Sequence, residues 1–177
     1  MDFQSKSIKL IIGLGNPGQE YENTYHNAGN KFVDFLKKKS ADSDISYKKE
    51  KTFEYAKANG LILAKTLVFM NESGLAVKKA AIFTKTKPEE ILIVHDDSDL
   101  NIGDQKISFN RGTGGHKGVE SIANNLKTKN FWRLRIGIRP EEKIRSKAGS
   151  FVLKNISTVN LKKMENLFEK IIKEKFA

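Results

Sequence analysis

The sequence predicts an α/β fold, a single globular domain whose mixed, partly parallel central sheet is flanked by helices. Residues 8–14 and 91–94 are short, almost continuous apolar runs, which are typical of strands covered on both faces. Helical patterns lie between these two runs, as in chains where crossover connections join parallel strands. A hairpin signal also lies between them, so antiparallel strands should join the same sheet.

The hairpin strands are predicted at Phe53–Ala58 and Leu61–Thr66, on either side of Asn59 and Gly60. Asn-Gly between two alternating apolar runs is the strongest short-range hairpin signal, because both residues accept the positive φ angles of a tight turn. The sheet is therefore expected to be mixed.

Three helices follow from apolar residues at three- and four-residue steps. The first is predicted over residues 30–39 and the second over residues 73–83, with Ser73 as its N-cap. Near the C terminus an amphipathic helix is predicted to pack its apolar stripe on the body of the domain. That stripe consists of Leu161, Met164, Leu167, Phe168, Ile171, Ile172 and Phe176. Residues 141–149 are charged, poor in large apolar side chains and linker-like.

Length and composition restrict the classes of protein. The 177 residues are 38% hydrophobic, which is enough for one domain with a real core, and the net charge of +11 favours an anionic partner. Without cysteine there are neither disulfides nor thiolate metal ligands. Because the sequence has no secretory apolar region and no apolar stretch of roughly 20 residues, we expect a cytoplasmic protein without membrane contact.

Most of the excess positive charge lies in residues 105–155, which hold twelve lysines and arginines against three acids. Within this segment Arg133, Arg135 and Arg139 alternate with apolar residues, so one face of a strand would be buried and the other lined by guanidinium groups. Such a row suits phosphates, but the polar face of a strand also often meets only water. Both interpretations stay open for Arg133 and Arg135.

The motif GLGNPG, which begins at Gly13 after the first predicted strand, satisfies the dinucleotide-binding pattern G-x-G-x-x-G. Pro17 removes one N–H group from the loop that would hold the pyrophosphate, and two glutamates follow where phosphates would lie. The acid expected at the end of a second strand is also missing, since the nearest candidate, Asp34, falls in a helical pattern. We therefore predict no nicotinamide or flavin cofactor.

Amide, imidazole and carboxylate groups recur near the predicted strand ends, at Asn16, His26, Asn27, Asn71, Asp96 and His116. A carboxylate bound to one ring nitrogen leaves the other basic, so an imidazole paired with Asp96 could take a proton from water. Asparagine side chains could donate to a developing oxyanion. Since cysteine and the pattern G-x-S-x-G are both absent, direct attack by activated water is the economical mechanism, and the set indicates a hydrolase.

A metal site is an alternative for part of this set. His95, Asp96, Asp99 and His116 have suitable ligand types, but their spacing matches none of the common metal motifs. We therefore predict no metal, and we interpret His95 as a structural histidine.

Six motifs in this order, GLGNPGQEY, TYHNAG, FMNESG, HDDSDL, GTGGHKG and FWRLRIGI, resemble bacterial peptidyl-tRNA hydrolase over nearly the whole chain. The resemblance implies one monomeric α/β domain over residues 1–177. It also implies an enzyme that, without a metal, cleaves the ester joining a peptide to the 3′ ribose of tRNA, recycling tRNA from peptidyl-tRNA dropped by ribosomes. The alternative is a catalytically weak or inactive RNA-binding relative of the same fold.

The resemblance further implies roles for single residues. His26 would be the general base that activates water, and Asp96 would hold it in its proton-accepting form. Asn16 would contact the substrate near the scissile ester and help to reject unblocked aminoacyl-tRNA. The tRNA 3′ end and the first peptide residues would lie in a channel formed by Tyr21, Phe69, Met70 and Asn71.

Lys106 and Arg135 match family positions that bind tRNA phosphates, in agreement with the basic segment.

Three positions depart from the family pattern. Lys117 stands where asparagine usually follows Gly-Gly-His, and because lysine can donate but cannot accept a hydrogen bond, the usual substrate contact is not carried over. Tyr25 stands where an arginine usually precedes His-Asn, and Ser108 replaces a commonly basic residue.

Overall fold

The computed structural model describes residues 3–40, 44–58, 60–140 and 151–176. Its strands are β1 Leu10–Gly13, β2 Lys48–Lys49, β3 Phe53–Ala58, β4 Leu61–Thr66, β5 Ile91–Asn101, β6 Gln105–Phe109 and β7 Trp132–Arg139. Its α-helices are α1 Ala28–Lys38, α2 Ser73–Thr84, α3 Lys117–Leu126 and α4 Thr158–Lys175.

The strands form one mixed sheet in the order β2-β3-β4-β1-β5-β7-β6. The central strands β4, β1, β5 and β7 run parallel, whereas β2, β3 and β6 pair antiparallel at the two edges. This confirms the predicted mixed, partly parallel sheet. The carboxyl ends of the four parallel strands lie at one edge, where open α/β sheets bind their ligands.

Helices cover both faces of the sheet. Helices α1 and α4 bury Phe32, Phe168 and their neighbours on one face, and α2 and α3 bury Val77 and Ile122 on the other. Strand β1 contributes Ile11 to one core and Leu10 and Ile12 to the other. This two-sided burial explains why the strand is a continuous apolar run, without the alternation of a half-exposed strand.

Several predicted elements are confirmed. The two hairpin strands have the predicted bounds, and Gly60 has a φ of +76°, as a tight turn requires. Helix α4 buries its apolar stripe in the core, as predicted. Two predictions, Asn59 in the turn and the linker-like residues 141–149, lie outside the described residues.

Helix α2 begins at Ser73, but the prediction that Ser73 is its N-cap is wrong. The N-cap is Glu72, and the Ser73 hydroxyl donates to the carbonyl oxygen of Met70 at 2.8 Å. A short 3₁₀ turn over Met70–Glu72 leads directly into the helix, so the serine lies one position inside the helix and bonds backwards to this turn.

Strand β5 is longer than the apolar run predicts, because it continues to Asn101 through the polar stretch HDDSDLN. Strand β7 lies alongside it in parallel register from Leu92 opposite Trp132 to Asp97 opposite Gly137. Asp96 therefore lies within the strand and not after it. Main-chain pairing maintains the strand where the side-chain pattern no longer indicates one.

The start of α1 packs directly on the backbones of two central strands. A Cβ atom at Gly29 would lie 2.2 Å from the carbonyl oxygen of Val94 and 2.6 Å from the amide nitrogen of Leu14. Only glycine permits this approach, which brings the residues just before α1 to the carboxyl ends of β1 and β5.

We predict that Gly29→Ala lowers the free energy of unfolding by about 1–3 kcal/mol or more, because the added methyl group would meet backbone atoms that cannot move aside. Gly112→Ala is the matched control, since a Cβ there meets no heavy atom within 4 Å, and it should change stability by no more than about 0.5 kcal/mol. Urea denaturation measures both variants. Equal effects would contradict the close packing of α1.

Candidate active site

A cleft of about 1130 Å³ opens at the carboxyl ends of the parallel strands. Its lining extends from His26, Asp96 and His116 to Lys106 and Arg135 on strands β6 and β7. The sequence-predicted base and the sequence-predicted phosphate contacts thus share one cleft.

Asp96 is the centre of the cluster, with 2% of its surface exposed. Its Oδ1 lies 2.9 Å from Nδ1 of His26 and 2.9 Å from Nε2 of His116. Burial alone would raise the pKa of Asp96, but the electrostatic interaction with His116 and the hydrogen bonds from both imidazoles outweigh burial and hold this pKa well below its usual range. Asp96 is therefore an ionised acceptor shared by two rings.

The hydrogen bond to Asp96 fixes how His26 is used. Because an ionised carboxylate only accepts, His26 must carry its proton on Nδ1, and Nε2 keeps the lone pair. The side chain of His26 is 15% exposed and lines the cleft. This arrangement suits a general base.

Residues 151–156 hold the segment that carries His26. The amide of His26 donates to the carbonyl oxygen of Val152 at 2.8 Å, and the amide of Tyr25 donates to that of Lys154 at 3.2 Å. Tyr25 is buried, and its hydroxyl accepts a 2.8 Å hydrogen bond from the Asn160 side chain. The tyrosine found in place of the usual arginine therefore ties the His26 segment to helix α4.

Asn16 is held by a network of amide groups. Asn27 accepts from the amide of Asn16 at 2.9 Å and donates to its carbonyl oxygen at 3.0 Å. The Oδ1 of Asn16 accepts from the amide of Met70 at 2.8 Å. Within the described residues the Nδ2 group of Asn16 has no partner, so a donor stays available beside the His26 segment.

The other residues that the resemblance assigns to the channel lie around this network. Tyr21 and Phe69 meet edge to face, with ring centroids 6.2 Å apart, and Phe69 is 50% exposed. Asn71 is also exposed, whereas Met70 is buried. An accessible aromatic pair thus lies next to the fixed Asn16 amide.

His95 is buried and lies against His116, with ring centroids 4.6 Å apart. Its Nδ1 donates to the carbonyl oxygen of Asp96 at 2.7 Å, and no described residue makes a hydrogen bond with its Nε2. Burial, assisted by the electrostatic interaction with His116, lowers the pKa of His95 well below the usual histidine range. His95 is therefore a neutral side chain that packs under the cluster.

In the described part of the chain, one group of side chains has the donor set of a metal site, namely His26, Asp96 and His116, with ligand atoms within 4.8 Å of one another. This group differs from the set that the sequence suggests, because it includes neither His95 nor Asp99. The same atoms already satisfy one another as two N–H donors and one shared carboxylate oxygen.

The wall of the cleft on β6 and β7 is basic. Lys106 lies directly opposite Arg135 across the two antiparallel strands. Like charges in this position repel, and the buried Asp97 compensates by accepting a hydrogen bond from Nε of Arg135. Lys106 and Arg135 thus form a compact cationic site at the open edge of the sheet.

Arg133 differs from both sequence-based interpretations. It is buried, and its guanidinium donates to the carbonyl oxygen of Gly112 at 2.9 Å, so it supports the loop before α3. Opposite it, the hydroxyl of Ser108 is buried and has no hydrogen-bond partner among the described residues. Strand β7 is buried on both faces, and the alternating pattern does not reveal that an arginine can be enclosed there.

The sequence profile of the family described as Peptidyl-tRNA hydrolase matches residues 10–175. The chain belongs to this family. A peptidyl-tRNA hydrolase of Neisseria meningitidis is 47% identical over 140 residues, which cover 76% of this chain and 71% of the relative. One from Lactobacillus gasseri is 42% identical over 165 residues, which cover 92% and 88%.

The fold agrees with that of solved family members. The crystal structure of peptidyl-tRNA hydrolase from Acinetobacter baumannii is 34% identical and superposes with a TM-score of 0.80. The match covers 98% of this chain and 89% of that chain. Among the described residues, no helix is both long and apolar enough to cross a membrane.

We predict that His95 makes stability depend on pH. Its folded pKa lies below the unfolded value of about 6.5, so its full contribution to stability is present above that pH and is lost as pH falls. Between pH 7 and pH 5, the free energy of unfolding should fall less steeply in His95→Gln than in the wild type, by up to about 1.4 kcal/mol per pH unit. Urea denaturation across this range tests it. Identical slopes would mean that His95 takes up its proton in the folded state.

Proposed function

We propose that the protein hydrolyses the ester bond of peptidyl-tRNA, releasing free tRNA and the peptide, with His26 as the general base. The observation that carries the proposal is the 2.9 Å hydrogen bond from His26 to the ionised Asp96, which leaves Nε2 of His26 basic at the cleft. Membership of the peptidyl-tRNA hydrolase family supports the substrate.

In the reaction, Nε2 of His26 accepts a proton from water as the water oxygen attacks the ester carbonyl carbon. The imidazolium that forms is stabilised by Asp96, which stays ionised. When the tetrahedral intermediate collapses, the bond to the ribose oxygen breaks, and His26 returns the proton to that leaving oxygen. The products are a carboxylic acid and the free 3′ end of tRNA.

Asn16 is placed to assist at the carbonyl group. Its Oδ1 is occupied by the Met70 amide, so the side chain is fixed with Nδ2 as the group that can donate to the substrate. A donor that is already oriented towards a developing oxyanion contributes about 10²–10³-fold to rate. The same contact gives Asn16 its proposed part in selecting blocked substrates.

The aromatic pair Tyr21 and Phe69, with Met70 and Asn71, forms the proposed channel for the tRNA 3′ end and the first residues of the peptide. Exposed rings offer surfaces on which bases stack, and each stacked base contributes about 1–3 kcal/mol. Lys106 and Arg135 contact tRNA phosphates farther along the cleft. One copy of the chain supplies all of these groups, so a monomer suffices. Because translation occurs in the cytoplasm, the substrate supports activity there.

We predict that His26→Ala lowers kcat for release of an N-acetylated amino acid from tRNA by about 10²–10⁴-fold, because water loses its base. Binding of the uncleaved substrate should persist, and a chelator should not change the wild-type rate. Release and binding are measured on the same preparations. Equal release by both proteins would refute His26 as the base, and wild-type binding without release would favour an inactive RNA-binding protein.

We predict that Lys106→Gln weakens substrate binding and reduces the slope of log Kd against log salt concentration by about one, because one phosphate contact is lost. Lys57→Gln is the matched control, since Lys57 is an exposed lysine on β3, near the opposite edge of the sheet. Titrations of N-acetylated aminoacyl-tRNA at several salt concentrations provide both slopes. The same reduction in both variants would show that net charge alone determines binding.

A further inference from the structure

His116 makes a hydrogen bond with each of its two ring nitrogens. It is the N-cap of the ten-residue helix α3, and its Nδ1 lies 3.1 Å from the amide of Gly118 and 3.3 Å from the amide of Val119. Backbone amides only donate, so Nδ1 must accept and cannot carry a proton. In the neutral ring the proton therefore lies on Nε2, which is 2.9 Å from Oδ1 of Asp96.

We propose that His116 is a positioning residue. Held at the N-terminus of α3, it keeps an N–H donor on Asp96 and thereby determines which nitrogen of His26 acts as the base. The hydrogen bond from His116 helps to keep Asp96 ionised, and an ionised Asp96 can only accept from His26. His26 must then hold its proton on Nδ1 and direct Nε2 to the substrate. This inference rests on the proposed hydrolase function.

The same contacts keep His116 from competing as a base. Nδ1 of His116 accepts from two amides of α3, so its lone pair is not directed to the cleft. The groups that contact His116 are His26, His95 and Asp96, and the nearby cations of the cleft wall are Arg111, Lys117 and Arg133.

Glycines in the GTGGHKG segment permit this geometry. Gly114 and Gly115 have φ angles of +62° and +75°, which bring the chain back to start α3 at His116. A Cβ atom at Gly118 would lie 2.5 Å from Sδ of Met70 and 3.2 Å from Cε1 of His116. Lys117, the departure from the family pattern, contributes no side-chain atom to the hydrogen bonds of His116.

Two substitutions separate the two bonds of His116. Asparagine reaches about as far as Nδ1 and can accept from the α3 amides, whereas glutamine reaches about as far as Nε2 and can donate to Asp96. His116→Asn should keep a Tm above that of His116→Ala, because the cap of α3 is retained, but should lower kcat by about tenfold or more, with KM little changed. His116→Gln should keep kcat within about threefold but lower Tm, and His116→Ala should lose both.

Restoration of kcat by His116→Asn would overturn the proposal, because the residue would then be only a helix cap. A His116→Gln protein no more active than His116→Ala would overturn it too, since the donated proton would not matter. Each Tm shows whether a variant folds. If the wild type itself released no peptide, the hydrolase function would fail, and the proton positions would still be open to measurement.

Nitrogen-15 NMR of the substrate-free protein provides that measurement. We expect His116 to carry its proton on Nε2 alone and His26 on Nδ1 alone at neutral pH, and we expect His116→Asn to convert His26 into a mixture of the two neutral forms. A proton on Nδ1 of His116, or a mixture at His26 in the wild type, would contradict the inference independently of activity.

Discussion

The hydrogen bonds of one buried carboxylate organise the functional end of this molecule. An ionised Asp96 without partners would be strongly destabilising in an apolar interior, and it is tolerated because two imidazole N–H groups meet the same oxygen. One imidazole precedes α1 and the other begins α3, and these helices cover opposite faces of the sheet. The charge of Asp96, within β5, thus links the two helical layers through its hydrogen bonds.

This dependence explains why close backbone contacts accompany the polar cluster. Gly29 lets α1 approach β1 and β5, and Gly118 lets the start of α3 lie against Met70 and the ring of His116. A hydrogen bond of 2.9 Å tolerates little displacement, so the small residues that allow these approaches determine the geometry as much as the polar groups do. The packing of the fold and the orientation of the histidines therefore depend on the same small residues.

The sequence predicts much of this arrangement, for identifiable reasons. Strands buried on both faces are continuous apolar runs, and a type of turn that requires Asn-Gly is visible directly. The sequence does not predict the enclosure of Arg133, whose partner is the main chain of Gly112. Nor does it predict the support of His26 by residues 151–156. Both interactions end on backbone atoms, which every residue has, so no residue type marks them. The motifs likewise indicate that His26, Asp96 and His116 belong together, whereas the proton positions require the contacts themselves.

The bond between Arg135 and Asp97 has a consequence for how an anion is received. A free arginine loses considerable rotational freedom when it grips a ligand, and this loss weakens binding. Here Asp97 already holds Nε, so the guanidinium plane is oriented before any anion arrives, and its outer N–H groups remain to bind. The ordering of this side chain takes place during folding, so in the proposed tRNA contact a phosphate would meet a rigid group that discriminates by shape as well as by charge.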